Sequence, residues 1–134
     1  MVVIAVIGIL AAGVLAVIDP IAQMRKGEDG RRKADLKQIQ TGLELYRSDL
    51  GNYPSVYSGN SVQSPLRSPD NSITYMQNVP KDPNGINYYY APYNSNRSYY
   101  IYACAKNVND LEAITSGPSG YCPSGSKFYR YSSP

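Results

Sequence analysis

MVVIAVIGILAAGVLAVI, residues Met1 to Ile18, decides how the rest of this chain is read. It holds no charge, amide or hydroxyl. An apolar run of this length is a candidate membrane span. As a helix it would reach roughly 27 Å, at the lower limit for a hydrocarbon core of about 30 Å. A chain of 134 residues has too few other apolar residues to wrap such a helix on every side. It needs lipid, or copies of itself, around it. A cleavable secretory signal fits poorly, because no Lys or Arg precedes the run and Asp19-Pro20 stands where a small-x-small cleavage site belongs. The small residues inside the run separate a plain anchor from a packing helix. Gly8, Ala12 and Ala16 recur at four-residue spacing beside Ala5, Ala11 and Gly13, and small residues let apolar helices approach closely.

Beyond Ile18 the chain changes character. The mean hydropathy of −0.38 averages the apolar start with a polar remainder that carries ten Pro, fourteen Tyr, one Phe and no Trp. So small a head builds only a modest core and gains from a covalent staple. Cys104 and Cys122 are available. In a cytosolic enzyme they would be free thiols. Outside a membrane a disulfide is the default, worth about 3 kcal/mol for such a loop in the chain-entropy view. The net charge of +3 is mild. Arg25, Lys26, Arg31, Arg32 and Lys33 are interleaved with Glu28, Asp29 and Asp35, which reads as a solvated helix face and predicts no specific nucleic-acid partner. With no His, two Cys, scattered acids and no Gly-rich phosphate loop, the chain lacks the material for the common triads and zinc sites, and no enzyme is expected. Orientation is a puzzle. Basic residues follow the apolar run, which puts the head in the cytoplasm, whereas a disulfide and a Tyr- and Pro-rich surface put it outside. A basic leader ahead of Met1 would remove the conflict.

Along the chain, Asp19-Pro20 breaks or bends the first helix. Gly27 and Gly30 each weaken helical structure by about 1 kcal/mol relative to Ala. Residues 1–30 are therefore expected to form an apolar helix followed by a kinked or locally melted segment from Pro20 to Gly30. A globular head follows at 31–134. In it Leu36, Ile39, Leu43, Tyr46 and Leu50 repeat at alternating three- and four-residue spacing, the signature of an amphipathic helix over 31–50 that covers a sheet on one side. Gly51-Asn52, with Pro54 beyond, ends it. Residues 51–72 read as a surface loop, Ile73–Met76 as a turn of helix or a brief strand, and Pro80–Gly85 as dense turn chemistry. Strands are expected at Ile86–Ala91, Tyr99–Lys106 and Lys127–Tyr131, with Asn94-Ser95-Asn96 as a turn. Alternation along strands sends about half of the tyrosines to the core and half to the surface. The fold class is α+β: a long N-terminal helix, apolar then amphipathic, on a small antiparallel sheet, with Cys122 tying the C-terminal loop to the strand of Cys104.

Three ordered stretches carry a resemblance. Met1–Ala12 is similar to the run that follows Phe-Thr-Leu-Ile-Glu-Leu in mature type IV pilins and pseudopilins, and Pro20 matches a Pro shortly after that run. Leu45–Pro54 resembles the Tyr-x-x-Asp-x-Gly-x-Tyr-Pro stretch of type II secretion major pseudopilins. Val79–Tyr90 resembles their Leu-Pro-x-Asp-Pro-Trp-Gly-x-Pro-Tyr-x-Tyr stretch. Beyond Tyr93 the likeness is weak.

The resemblance implies a structural subunit, held in the inner membrane and then assembled into a helical filament, extracellular or at the cell surface. Its partners would be identical copies and a pilus or secretion assembly machinery. Val3, Ile4, Ile7, Gly8, Ala11, Ala12, Leu15 and Ala16 would pack in the filament core, and Pro20, Gly27 and Gly30 would let the helix stretch on assembly. It also implies a glutamate, further mature residues and a basic leader ahead of Met1. Gly51–Pro54 and Pro80–Gly85 favour a secretion pseudopilin, while the cysteine pair and Tyr-rich end lean towards a surface pilus. Major pseudopilins of the family carry calcium in a C-terminal loop. Here Asn107, Asn109, Asp110 and Glu112 are the candidate ligands, but Ca²⁺ takes six to eight oxygens and only two of these residues are carboxylates. A polar turn before the disulfide is the plainer reading. The competing function is a membrane-tethered adhesin or ligand-binding head on a single N-terminal span.

Overall fold

The computed structural model describes residues 2–17 and 19–134, with the side chains of 14–17 excepted. Helix α1 is Val2–Val17 and α2 is Pro20–Leu50. Met1 and Ile18, the ends of the expected span, lie outside the described residues. Among the described residues no helix is long and apolar enough to cross a membrane.

The boundary between the helices differs from the expected melted segment. Asp19 is extended and caps α2, accepting the N–H groups of Ile21 at 3.0 Å and Ala22 at 3.2 Å. Pro20 then opens the helix at a position where a missing N–H costs nothing. Pro20 therefore starts a helix instead of interrupting one. From there α2 runs unbroken to Leu50, with Gly27 and Gly30 helical and facing open space. The turn that follows Gly27 is anchored to the head by buried ionic bonds, described below.

Leu36, Ile39 and Leu43 form the buried stripe of α2. Tyr46 is half-buried and packs edge-on against Tyr75, with ring centroids 5.2 Å apart. Leu50 is 42% exposed and does not belong to the stripe. A seven-residue repeat drifts about 20° per heptad on a straight helix, so two heptads after Leu36 the side chain has turned off the sheet, in the last turn of the helix. Gly51 then caps α2 in the left-handed region at φ +81°, donating its N–H to the Arg47 carbonyl at 2.8 Å. Gly42 belongs to the buried face, which periodicity did not foretell. A Cβ there would meet Met76 Cε at 2.6 Å, so its absence leaves room for the end of the Met76 side chain over α2.

Two antiparallel sheets complete the head. β1 (Leu66–Arg67) pairs with β2 (Thr74–Met76), so the stretch read as loop contains a strand and Ile73–Met76 resolves to one. β3 (Tyr89–Tyr93), β4 (Ser98–Ala105) and β5 (Lys127–Ser132) pair in that order, in register Tyr90↔Ile101 and Cys104↔Phe128. α2 packs against β2, β4 and β5. On β4 Tyr99, Ile101, Ala103 and Ala105 face inward, while Tyr100, Tyr102 and Cys104 alternate outward. The core is rich in tyrosine, and most of its hydroxyls find acceptors, the Tyr75 hydroxyl being without one among the described residues. Tyr90 donates to the Pro54 carbonyl at 2.8 Å, Tyr88 to Asp35 at 2.7 Å and Tyr53 to Glu44 at 2.9 Å. The Cys104–Cys122 disulfide, with Cα atoms 5.7 Å apart, ties the C-terminal loop to the outer side of β4.

Candidate functional site

Two features of unlike chemistry meet along the helices. The first is α1. Its described side chains are all exposed, Val2 at 77%, Ile9 at 73% and Ile4 at 70% among them. Val3, Ile4, Ile7, Gly8, Ala11 and Ala12 lie on this open surface, and the side chains of Leu15 and Ala16 fall outside those described. Gly8 and Gly13 have no atom within 4 Å of where a Cβ would stand. Ile21 and Met24, also exposed, carry the apolar surface onto the first turn of α2. Water does not favour such a surface, at about 25 cal/mol per Å² of apolar area.

The second feature is an ionic clamp that fixes α2 to the head. The Arg32 side chain is wholly buried. Its Nε and Nη2 fork onto the Asp82 carboxylate, and Nη1 donates to Asp29 Oδ1 at 2.9 Å. Asp29 in turn accepts the backbone N–H groups of Lys106 at 3.0 Å and Asn107 at 2.7 Å, and the Tyr129 hydroxyl at 3.0 Å. One helical turn is thereby bonded to the Pro80–Gly85 turn, the end of β4, and β5. Burial by itself would lower the Arg32 pKa. The hydrogen bonds and charges of Asp82 and Asp29 outweigh it, so the guanidinium is held protonated more firmly than in water. The interleaved charges of this stretch read as a solvated face, and the structure corrects that for two of them. Arg25, Lys26 and Arg31 are exposed, but Asp29 and Arg32 are interior. The three-residue spacing of Asp29 and Arg32 is shared with solvated helix pairs, and Asp82 lies 50 residues away, so no local pattern marks the clamp.

The next residue of α2, Lys33, reaches the C-terminal loop. Its Nζ lies 2.8 Å from Asp110 Oδ2 and 2.7 Å from Glu112 Oε2, and 4.7 Å from the centre of the Tyr129 ring. The single Tyr129 hydroxyl proton is shared between Asp29 and Asp110, whose Oδ2 lies 2.9 Å away, and the Glu112 N–H donates to Asp110 Oδ1 at 3.0 Å. Asn107 Oδ1 is taken by the Asn109 N–H at 3.2 Å. The Lys33 hydrogen bond, then the Glu112 N–H, pull the Asp110 pKa down to about 2. Burial lowers the Lys33 pKa, but Asp110 and Glu112 more than reverse this, and it is raised overall. The structure thus brings Asp110 and Glu112 together around an ammonium. That arrangement does not fit a calcium ion, which needs the same oxygens and several more. Among the described residues no three His, Cys, Asp or Glu side chains converge as a metal site.

An exposed apolar helix, followed by a second helix bolted over a small antiparallel sheet, defines a pilin-like subunit. The chain belongs to the family described as Type II secretion system (T2SS), protein G, whose sequence pattern matches residues 20–116. It is similar to the Type II secretion system core protein G of Pseudomonas aeruginosa, at 33% identity over 96 residues, which cover 67% of this chain and 66% of the relative. The matched part thus spans just under two thirds of that relative's length. No solved structure matches the chain significantly. The family match takes in α2, the clamp of Asp29, Arg32 and Asp82, and the loop holding Asp110 and Glu112.

Proposed function

We propose that this chain is a structural subunit, a major pseudopilin that polymerises into a helical filament of the type II secretion kind. The observation that carries this reading is the contrast between α1 and the rest of the molecule. The described side chains of the most apolar element are all exposed, while the head that bears it is a closed, bonded unit. An inner membrane accepts α1 before assembly, and the helices of neighbouring copies accept it afterwards, so its surface is never transferred to water. Gly8 and its small neighbours allow close approach in that bundle. The name of the relative supports a secretion pseudopilus over a surface pilus, with a secretion assembly machinery and identical copies as partners.

The clamp bears on how the subunit changes shape. Any stretching of the helix on assembly is confined to the residues ahead of Asp29, because Asp29 and Arg32 are bonded into the head. Gly27 lies in the free part. Gly30, one residue beyond Asp29, lies inside the clamped turn and is not free to stretch. Electron microscopy of material sheared from cells that overproduce the chain tests the reading. Filaments containing it are expected; a detergent-soluble monomer as the sole form would overturn it.

A further inference from the structure

We propose that Lys33 is the resident cation of the C-terminal loop, so that residues 107–113 fold onto α2 through a built-in ammonium and need no calcium. The inference rests on this chain's own geometry and stands apart from the filament reading. Three elements converge on Nζ. Asp110 and Glu112 reach it from the loop at 2.8 Å and 2.7 Å, and β5 supplies the Tyr129 ring at 4.7 Å. A cation facing a π surface and two carboxylates satisfies both kinds of electron-rich neighbour at once. The position is delivered and not accidental. Arg32, the preceding residue, is fixed by its buried bonds to Asp29 and Asp82, and Asp29 holds the start of this same loop through the Lys106 and Asn107 N–H groups.

A calcium ion would have to take both carboxylates from Lys33. The displaced ammonium, now 26% exposed, would lose both carboxylates and the Tyr129 ring to a competing divalent charge. Asp110 Oδ1 already accepts the Glu112 N–H and Asn107 Oδ1 the Asn109 N–H, so the loop is closed on itself by its own backbone as well as by Lys33. One lysine here supplies the loop closure that a divalent ion would otherwise give, at a position independent of calcium supply in the cell envelope.

The test uses the full chain in detergent, stripped with EDTA and melted with and without millimolar calcium chloride. The unmodified chain is expected to keep its Tm in both conditions and to show no saturable calcium binding by calorimetry. Lys33→Met is expected to lower the Tm by about 4–8 °C, the shift expected for about 1 kcal/mol in a head of this size, whereas Lys33→Arg stays near the unmodified value. A Tm of the unmodified chain that rises with calcium, or stoichiometric calcium binding to it, overturns the proposal without recourse to any variant. So does a Lys33→Met chain that melts with the unmodified one.

Discussion

α1 and α2 are adjacent helices that invert the usual relation between composition and burial. α1 is apolar from Val2 to Val17 and its described side chains are exposed; α2 is dense in charge, yet Arg32 is among the most deeply buried side chains of the molecule. An arginine goes inside when two carboxylates are prepared for it, one of them, Asp29, held in turn by backbone donors. An apolar helix stays outside when its partners belong to other molecules or to lipid. The two helices therefore divide the work. α2 makes the head one piece, and α1 keeps its described side chains outside it, the surface that the proposed filament would bury.

The sharpest way to break this comparison is to remove charge from α2. Arg32→Met leaves Asp29 and Asp82 buried without their partner, and a loss of about 3–5 kcal/mol is expected in denaturant unfolding of the detergent-solubilised chain. A change comparable to a surface substitution would show that the clamp is ornamental. Next comes the stripe, where Leu43→Ala should cost about 2–5 kcal/mol and Leu50→Ala less than about 0.5, since only the first side chain is enclosed. Equal losses would contradict the drift of the heptad off the sheet. Replacing both Cys104 and Cys122 by Ser should cost about 3 kcal/mol, read as the stability difference from the intact chain.

Acid gives a smaller effect with a defined sign. Asp110 titrates near 2 in the folded chain against an ordinary value of 3.8, so the unfolded chain binds the extra proton first. Its contribution is complete above pH 4 and is lost as the pH falls through about 2. Lys33→Met should flatten that part of the pH–stability curve. Smallest of all, Ile7→Ala on α1 is expected to leave monomer stability unchanged within about 0.5 kcal/mol while reducing filament yield. Monomer destabilisation by Ile7→Ala would mean that α1 already has a partner within its own chain.

How much of this was legible in the residues depended on distance along the chain. The apolar run, the Leu36–Leu43 stripe, the Gly51 cap and the three longer strands are written in short-range periodicity and turn chemistry, and each appears within a few residues of its expected place. Asp19-Pro20 was ambiguous because the same pair breaks a preceding helix and caps a following one. β1 and β2, at two and three residues, are too short to show a period. The clamp and the Lys33 loop contact link residues 50 and 77 positions apart. Local pattern sees such residues as ordinary surface charge, and only the fold brings their partners to them. Asn107, Asn109, Asp110 and Glu112 stand out in sequence by their oxygens, but the lysine that claims the two carboxylates lies on another element.

The central claim is that α1 is a packing helix and not merely an anchor. Residues 2–17 can be replaced by an unrelated apolar helix of equal length that lacks the small residues Gly8, Ala11, Ala12 and Gly13, and sheared filaments counted by electron microscopy against cell-associated subunit. The account predicts unchanged subunit levels in the membrane fraction with filaments absent. Filaments at the unmodified level would contradict it and leave α1 as a tether.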